Sequence, residues 1–426
     1  MIDIKRLRQD PEAVRAALRR RLDPALDSMV DGMLDLDRRR REALVQVETL
    51  KAARNAATEE VARRKRSGET ADDLLAQLKQ SGEEARRLEA VVREVDQELD
   101  DLLLRVPNLP HRDVPDGDAS ANAVVRSWGE PPRFDFEPKP HWELGERLGL
   151  FDLVRGAKLA GSGFPLFTGQ GARLARGLIN FMLDLHTREH GYTEVSPPFV
   201  VTTQTMTGTG QLPKFADDLY NVSNDGLWLI PTAEVPVTNV YRDEILERDR
   251  IPAGFAAYTP CFRREAGAAG KDTRGLLRVH QFDKVELVRL APPDQSEEEH
   301  QRLTGHAEAV LQRLGIPYRV MVLAAGDTGF AAARTFDLEA WAAGVQNWLE
   351  VSSSSTFTDY QARRLNLRYR PGPGAKPEFV HTLNASGLAL PRTIAALLEN
   401  NQEADGSVRV PPALASYLGA SRLTPP

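Results

Sequence analysis

The chain has 426 residues, of which 41 % are hydrophobic and 27 % charged, and its formal net charge at pH 7 is −6. This balance excludes a chain that is disordered throughout and a globally basic nucleic-acid binder, and the length predicts roughly two to three domains. The apolar runs are shorter than the ~18 residues of a membrane span, and no apolar signal segment follows Met1, so we expect a cytoplasmic protein without a membrane anchor. The single cysteine, Cys261, excludes an intrachain disulfide and a multi-cysteine zinc site.

The N-terminal quarter of the sequence is helical in pattern. In residues 1–26, Asp10 suits an N-cap, Pro11 the first helical position and Glu12 the first turn. Residues 27–103 contain no proline, and their apolar residues recur at alternating spacings of three and four, which is typical of a coiled coil. These positions are Met29, Met33, Leu36, Ala43, Val47, Leu50, Ala57 and Val61, then Leu74, Leu78, Ala85, Leu88, Val92, Val95, Leu99 and Leu102.

A turn signal divides the coiled-coil pattern into two runs of similar length. Ser67 and Gly68 lie between the runs, so we expect an antiparallel helical hairpin whose arms reach roughly 50 Å at about 1.5 Å per residue. Four consecutive basic residues precede the turn, namely Arg63, Arg64, Lys65 and Arg66. Such a run is often only a solvated face, but at the end of a long arm it favours contact with a phosphate backbone.

The remainder of the chain changes character twice. Residues 106–140 are rich in Pro, Gly and Asp and are predicted to form a linker. From residue 141 onward, short apolar strands alternate with helical stretches without a tandem repeat. The sequence therefore predicts three parts: residues 1–105 with the hairpin, the linker 106–140, and an α+β domain over 141–426.

Several common chemical signatures are absent. Residues 267–271 lack the spacing of a phosphate-binding loop, and residues 161–163 lack the third glycine of a dinucleotide fingerprint. There is no His-Glu-x-x-His metal motif and no Gly-x-Ser-x-Gly nucleophile elbow. The serine run 352–355 is interpreted as a polar loop, and Cys261 as a small buried hydrophobe.

Two segments predict strands of the sheet, and one of them is charged. Residues 191–200 follow an amphipathic helix that Gly191 ends, and Pro197 and Pro198 favour an edge or interface strand. Residues 260–267 and 274–287 read as two strands joined by a glycine-rich loop. Charged residues occupy both strands, and these need either a salt-bridge network or a ligand.

Two further segments suit anions and cations. Residues 381–400 place Pro391 at a first helical position and Arg392 at the helix N-terminus, which forms either an anion site or a surface ion pair. Residues 349–353 place Glu350 and Ser353 at the end of a strand. Hard oxygen ligands of this kind suit Mg²⁺, although a solvated strand end is the simpler interpretation of this segment alone.

Together these segments resemble the seryl-tRNA synthetases of the bacterial type, over essentially the full chain. Motif 1 of the class II synthetases ends at Pro198, motif 2 runs from Phe262-Arg263-Arg264-Glu265 to Phe282, and motif 3 runs from Gly387 to Arg392. The serine-type signature Thr232-Ala233-Glu234 lies between the first two motifs. Glu350-Val351-Ser352-Ser353 and the segment 359–364 lie between the last two.

The resemblance implies an antiparallel sheet flanked by helices and a homodimer formed through motif 1. It implies activation of L-serine by ATP to seryl-adenylate, followed by transfer of the seryl group to the 3′ end of tRNA(Ser), and of a selenocysteine tRNA where the host has one. The hairpin resembles the tRNA-binding arm of that family, with tRNA contacts at Arg63, Arg64, Lys65 and Arg66. The loop over residues 266–273 is expected to become ordered when tRNA or the adenylate binds.

The resemblance also implies individual roles. Arg263 holds the α-phosphate and Arg392 the γ-phosphate of ATP, Glu265 accepts from the adenine amino group, and these three residues are the expected catalytic set. The other expected ATP-binding residues are Arg264, Val279, Phe282, which stacks on the adenine, Glu350, Val351, Ser352 and Ser353. Glu350 and Ser353 carry Mg²⁺. The expected serine-binding residues are Thr232, Ala233, Glu234, Arg263, Glu286, Asn384 and Ser386.

Two other functions remain open from the sequence. A synthetase-like enzyme could load a small amino acid onto a carrier protein, but enzymes of that kind that resemble this family lack the long arm. A catalytically silent RNA-binding or coiled-coil protein would be expected to lack Arg263, Glu265 or Arg392, and all three are present.

Overall fold

The computed structural model describes residues 1–267 and 273–425. The chain divides into two compact units, of which the first is Met1–Arg19 with Asp23–Pro107 and the second Arg20–Leu22 with Asn108–Pro426. Most of the loop predicted over 266–273 lies outside the described residues. Within the described part, no helix has the length and apolar character needed to cross a bilayer.

The first unit consists of helices alone. The N-cap prediction is confirmed, because the Asp10 carboxylate accepts a hydrogen bond of 3.0 Å from the backbone N–H of Ala13. The two long helices are joined at Gly68, whose φ of +77° suits a glycine at a helix C-terminus. The predicted helical hairpin is therefore present. The helices are α1 (Ile4–Gln9), α2 (Pro11–Arg19), α3 (Ala25–Ser67) and α4 (Asp72–Leu103).

The two long helices bury most of the predicted apolar seam near their base. Val47 of α3 and Val95 and Leu99 of α4 are buried. At the start of the seam Val30 is buried instead of the predicted Met29, a shift of one position that 3.6 residues per turn readily produces. Leu50 remains partly exposed, because two helices alone cannot enclose a wide core.

The second unit is built on an eight-stranded sheet in the order β1-β11-β12-β13-β16-β10-β9-β4. All neighbours in this sheet are antiparallel except β4 and β9. The strands are β1 (Ala123–Trp128), β2 (Phe151–Asp152), β3 (Leu166–Phe167), β4 (Thr193–Glu194), β5 (Val200–Thr202), β6 (Asn221–Val222), β7 (Leu227–Leu229), β8 (Ile245–Glu247), β9 (Ala253–Phe262), β10 (Gln281–Ala291), β11 (Tyr318–Val322), β12 (Arg334–Ala342), β13 (Asn347–Thr358), β14 (Arg368–Arg370), β15 (Glu378–Phe379), β16 (His381–Ala389), β17 (Val408–Arg409) and β18 (Arg422–Leu423).

Helices flank this sheet and bury its apolar side chains. The main core combines Leu178 of α7, Leu311 of α10 and Leu397 of α12 with strand residues such as Val285 and Leu338. The predicted α+β architecture is therefore confirmed. The helices are α5 (His141–Arg147), α6 (Leu153–Ala160), α7 (Gly169–Arg188), α8 (Thr203–Thr209), α9 (Glu234–Thr238), α10 (Ser296–Leu314), α11 (Tyr360–Leu365), α12 (Leu390–Asn400) and α13 (Pro412–Leu418).

The segments singled out in the sequence occupy the expected elements. After α7, Gly191 adopts a φ of +74° and β4 forms an edge strand, as the following prolines predicted. Strands β9 and β10 form the predicted antiparallel hairpin, but residues 263–267 and 274–280 of the predicted strands lie outside them. Pro391 lies in the first turn of α12, next to Arg392.

Two segments differ from their sequence interpretation. Within the predicted linker, residues 123–128 form the edge strand β1, whose side chains are mostly exposed and therefore show no apolar alternation. The serine run 352–355 is not a polar loop, and Glu350 is not at a strand end, because both lie inside the twelve-residue strand β13. The hydroxyls are compatible with a buried strand because Ser352 donates to the Ser386 carbonyl at 2.6 Å and Ser354 pairs with Thr304 at 2.9 Å.

A buried carboxylate joins three parts of the second unit. Glu399 of α12 accepts from the His141 backbone N–H and imidazole Nδ1 at 2.9 and 2.7 Å, and from the N–H groups of Gly344 and Val345 at 2.8 and 3.0 Å. The Nε2 of His141 accepts from the Leu276 N–H at 3.0 Å, so the imidazole proton lies on Nδ1 and points at Glu399. This chain of hydrogen bonds fixes the backbone that follows the motif 2 loop.

Replacing Glu399 by Gln is expected to destabilise the second unit by roughly 2–5 kcal/mol, because an amide nitrogen would face N–H donors inside the core. The measurement is the midpoint of thermal unfolding followed by circular dichroism. Glu143→Gln, at an exposed position of α5, is the matched control and should leave the midpoint unchanged. Equal midpoints for both variants would contradict the importance of this network.

Candidate active site

A cavity of about 430 Å³ lies against β10, β13 and β16 and the start of α12. It collects predicted site residues that are far apart in sequence, from Thr232 to Arg392. The predicted residues that line it are Thr232, Glu234, Arg263, Glu265, Val279, Phe282, Glu350, Val351, Ser352, Ser353, Asn384, Ser386 and Arg392.

Three of the residues predicted to bind ATP or serine do not line this cavity. Arg264 is exposed and is held from the side, with its backbone N–H on the Asp218 carbonyl at 2.9 Å and its guanidinium on the Asp217 carbonyl at 3.1 Å. Ala233 is fully buried just before α9. Glu286 is also buried and contacts residues of the lining rather than the cavity itself.

One end of the cavity carries guanidinium groups and an aromatic ring. The guanidinium of Arg263 lies 5.2 Å from the ring centre of Phe282, a cation–π distance. Arg392 donates to the backbone carbonyls of Leu277 and Glu350 at 3.0 and 2.9 Å. Carbonyl partners orient both arginines, since Arg263 also donates to a carbonyl at 3.3 Å, and Arg392 additionally pairs with the Glu350 carboxylate at 3.4 Å. This end is suited to a polyanion that carries a flat ring.

Glu265 has an unusual backbone at this end of the cavity. Its φ of +51° lies in the left-handed region, which costs a non-glycine residue of the order of 1–3 kcal/mol. Its carboxylate accepts from Arg278 at 2.8 Å. The strained turn directs the Glu265 side chain to the cavity wall.

Oxygen ligands lie together on β12 and β13. The hydroxyl of Ser353 lies 2.6 Å from a carboxylate oxygen of Asp337 and 3.3 Å from one of Glu350. Burial, and then the nearby Glu350 charge, raise the pKa of Asp337 well above its ordinary value. Two carboxylates that repel each other across a hydroxyl form an arrangement that a divalent cation relieves.

The other end of the cavity is small, polar and charged. The Lys284 ammonium lies 2.5 Å from Glu286 and 2.8 Å from the Thr232 hydroxyl. The amide of Asn384 donates to Glu286 at 2.7 Å and to Glu234 at 3.2 Å. One ammonium therefore faces two carboxylates, and the pocket has an excess of acid.

The Glu234 carboxyl is electrostatically perturbed. Burial, and then the charge of Glu286, raise its pKa from 4.5 to about 7, while a hydrogen bond from Gln361 and the charges of Lys284 and Arg263 act in the opposite direction. A carboxylate that is ionised only near neutrality and lines a small cavity is a natural acceptor for a cationic group.

Sequence reasoning missed Lys284 and Asp337 as residues of this site. The charge of Lys284 on a strand was visible, but its partners Thr232 and Glu286 become neighbours only through the sheet. Asp337 lies directly opposite Ser353 in the β12–β13 register. Strand pairing of this kind is not readable from one sequence.

The basic run at the turn lies at the C-terminal end of α3. Arg63 pairs with Glu60 at 2.7 Å and is 72 % exposed, so its outward face is accessible. Arg64 pairs with Glu60 and Asp73 at 3.2 and 3.1 Å. Arg66 donates to the Ala62 carbonyl at 3.1 Å.

Comparisons with known proteins cover both units. Residues 1–110 match the family described as the seryl-tRNA synthetase N-terminal domain, and residues 219–401 match the tRNA synthetase class II core domain (G, H, P, S and T). A serine–tRNA ligase from Desulforudis audaxviator is 59 % identical over 420 residues, which are 98 % of each chain.

Solved structures show the same similarity. The seryl-tRNA synthetase from Pyrococcus horikoshii, in complex with ATP, matches with a TM-score of 0.95 and 39 % identity over 100 % of both chains. The cytoplasmic serine–tRNA ligase from Naegleria fowleri, in complex with AMP, matches with a TM-score of 0.89 and 29 % identity over 100 % of this chain and 99 % of that one.

The raised pKa of Glu234 predicts a pH-dependent contribution to stability. The folded state holds this proton more tightly than the unfolded chain, so the contribution is fully present below pH 4.5 and is lost as pH rises through about 7. It amounts to roughly 3 kcal/mol. Glu234→Gln should therefore become more stable relative to the parent between pH 5 and 8, as measured by thermal unfolding, while Glu143→Gln shows a constant difference. A constant difference for Glu234→Gln as well would contradict the shift.

Proposed function

Because this chain belongs to the seryl-tRNA synthetase family of class II aminoacyl-tRNA synthetases, we propose that it activates L-serine with ATP and transfers the seryl group to the 3′ end of tRNA(Ser). One observation carries this function. A single cavity combines a cationic end, with Arg263, Arg392 and the Phe282 ring, and an acid-rich pocket that contains Glu234. The first suits ATP and the second suits a small amino acid with a hydroxyl group.

The reaction needs positioning more than proton transfer. A serine carboxylate oxygen attacks the α-phosphorus of ATP, the bond to the bridging oxygen breaks, and pyrophosphate leaves. The terminal 3′ hydroxyl of the tRNA then attacks the carbonyl of seryl-adenylate, and AMP leaves. The carboxylate is already a nucleophile, so the first step requires alignment and charge stabilisation instead of a general base.

The cationic end of the cavity supports the assignment of the ATP-binding residues. Arg263 is assigned to the α-phosphate and Arg392 to the γ-phosphate, because both guanidinium groups reach the cavity while carbonyl oxygens hold them. Phe282 supplies a face for adenine, Glu265 an acceptor for its amino group, and Val279 a backbone contact. Arg264 is assigned a supporting role, since it anchors the start of the motif 2 loop to Asp217 and Asp218.

The acid-rich pocket supports serine binding. Glu234 and Thr232 face the cavity and are assigned to the ammonium group, while Ser386 and Asn384 are assigned to the hydroxyl side. Glu286 acts from behind this surface through Asn384. If buried acceptors of this pocket bind the serine hydroxyl, the pocket should reject alanine strongly, because an acceptor would then lack a hydrogen-bond partner.

The oxygen cluster fits a Mg²⁺ ion. Glu350 and Ser353 would hold it, with Asp337 bonded to the Ser353 hydroxyl. Among the described residues, no group of three or more His, Cys, Asp or Glu side chains is arranged to hold a metal ion. When bound, Mg²⁺ supplies neutralisation of phosphate charge.

The helical hairpin is the proposed recognition element for tRNA. Its tip residues Arg63, Arg64, Lys65 and Arg66 are assigned to the phosphate backbone. Such a contact depends on salt concentration and recognises the shape of the RNA. A selenocysteine tRNA would be a second substrate where the host has one. The homodimer through motif 1, the cytoplasmic location, and the division into residues 1–105, 106–140 and 141–426 remain predictions.

The two other functions have less support. A carrier-protein loading enzyme is disfavoured because residues 1–110 match a seryl-tRNA synthetase N-terminal domain. A silent binding protein is disfavoured because Arg263, Glu265 and Arg392 line one cavity. The direct test is charging of a tRNA(Ser) transcript with labelled serine. Absence of serine-dependent charging, with a transcript that another seryl-tRNA synthetase can charge, would contradict the proposed function.

Arg392→Ala is expected to reduce serine-dependent ATP–pyrophosphate exchange by about two to three orders of magnitude, because it removes a charged donor from the reacting phosphates. Binding of tRNA(Ser), measured by filter retention, should stay unchanged. Arg409→Ala, at an arginine that is 61 % exposed on β17, is the control. Normal exchange by Arg392→Ala would refute the phosphate role.

Replacing Arg63, Lys65 and Arg66 together by Ser should weaken tRNA(Ser) binding at least about tenfold and reduce the slope of log affinity against log salt by about two to three. Exchange without tRNA should remain at the parent rate. Arg112→Ser, at another exposed arginine, is the control. An unchanged salt slope in the triple variant would show that the tip does not contact phosphates.

A further inference from the structure

Gln361 of α11 contacts a site residue from outside the cavity. Its amide nitrogen donates to Glu234 Oε1 at 2.7 Å and to the Thr209 carbonyl at 3.1 Å, and its amide oxygen accepts from the Thr382 hydroxyl at 2.6 Å. The side chain is fully buried, as is that of Thr382. Gln361 does not line the cavity.

The chemistry of these partners fixes which way the amide points. The Thr209 carbonyl can only accept, and an ionised Glu234 can only accept, so the NH₂ group must face both. The hydroxyl of Thr382 then meets the amide oxygen and donates to it. The Thr209 carbonyl and the Glu234 carboxylate fix this orientation, because a rotated amide would place its oxygen against two acceptors, whereas the Thr382 hydroxyl can donate or accept.

Glu234 is thereby held with one oxygen occupied and the other available. Oε1 accepts from Gln361, while Oε2 accepts only the longer hydrogen bond of 3.2 Å from Asn384, whose amide also serves Glu286. The cavity lies on the Oε2 side of this arrangement, since Asn384 and Glu234 line it and Gln361 does not. A substrate ammonium can therefore add a hydrogen bond to Glu234 without displacing Gln361.

We propose that Gln361 is a positioning residue for amino-acid binding, which fixes the Glu234 carboxylate so that its second oxygen, Oε2, faces the ammonium group of serine, with Thr382 fixing the amide in turn. The proposal rests on the proposed function of the cavity. It assigns to Gln361 an effect on serine binding and none on ATP binding, because within the described structure its hydrogen bonds go to Glu234, Thr209 and Thr382, which lie away from the cationic end.

The experiment must separate the effect of Gln361 on Glu234 from the effects of the other charged groups nearby. Glu286 opposes ionisation of Glu234, whereas Lys284 of the same strand, Arg263 after β9 and the hydrogen bond from Gln361 favour it. Removal of Gln361 leaves the other three in place. The ionised form of Glu234 then loses a stabilising hydrogen bond, and its protonation should occur at higher pH.

The test uses Gln361→Met, which keeps the length of the side chain and removes both hydrogen-bonding groups, in ATP–pyrophosphate exchange by the full chain. The KM for serine should rise about tenfold, the cost of one hydrogen bond to a charged group. The KM for ATP, and kcat at saturating serine, should stay within about twofold. The acidic limb of kcat/KM for serine should move to higher pH. Gln301→Met, at an exposed glutamine of α10, is the control.

Thr382→Val provides a second, milder variant. It removes only the donor to the amide oxygen, and it should raise the KM for serine about two- to threefold. In a double-mutant cycle, Gln361→Met with Thr382→Val should be no worse than Gln361→Met alone, because both act through the same amide.

The outcomes separate the possible explanations. An unchanged KM for serine and an unchanged acidic limb in either foldable variant would overturn the proposal. A parallel loss of thermal stability, kcat and ATP affinity would also overturn it, because a purely structural role has that signature. If the unsubstituted chain shows no serine-dependent exchange, the proposed function itself fails, and this result is distinct from a failure of Gln361 to act on Glu234.

Discussion

The active site depends on mutual compensation of buried charges. Lys284 and Glu286 of β10 and Glu234 at the start of α9 lie together where solvent is largely excluded, and an unpaired ion there would cost several kcal/mol. Lys284 offsets Glu286 at 2.5 Å, which leaves Glu234 as the excess acid. Burial, and then the charge of Glu286, raise its pKa to about 7. Lys284 and Arg263 favour its ionised form, and in the proposed function the ammonium group of serine adds a further cation beside it.

Strand register delivers these charges to one place. Successive residues of a strand face opposite sides, so Lys284 and Glu286 of β10 share a face and meet Asn384 and Ser386 of β16. The β10–β16 register shifts between Val285 and Glu286, at the point where the polar pocket begins. The β12–β13 ladder shifts in a similar way next to the oxygen cluster. Irregularities of this kind are common beside active sites because they redirect side chains.

The sequence predicted features that depend on local pattern. The heptad spacing and Gly68 predicted the helical hairpin, and Pro391 predicted the start of α12. Alternating apolar residues predicted the β9–β10 pair. It did not predict β1, whose exposed side chains have no alternation, or the strand that contains Ser352, whose hydroxyls are satisfied by neighbours distant in sequence.

Site residues that belong to sequence motifs were predictable, whereas those defined by tertiary contacts were not. The family resemblance supplied most of the residues that line the cavity, because motif residues carry their own signature. It placed Glu286 in the cavity wall, whereas the structure places it behind Asn384. Gln361 lies in the 359–364 segment that the resemblance singled out, but neither it nor Asp337 was predicted as a site residue, because their contacts with Glu234 and Ser353 arise across the fold. Such supporting residues become visible only when the tertiary structure is known.

The most direct measurement is ATP–pyrophosphate exchange by the full chain with each standard amino acid in turn and without tRNA. The account predicts exchange that depends on serine, with alanine far weaker because a buried acceptor would be left without a partner. Exchange with glycine or alanine in place of serine would contradict the assignment of the acid-rich pocket. If none of the standard amino acids supports exchange, the result would contradict the claim that this cavity activates an amino acid on its own.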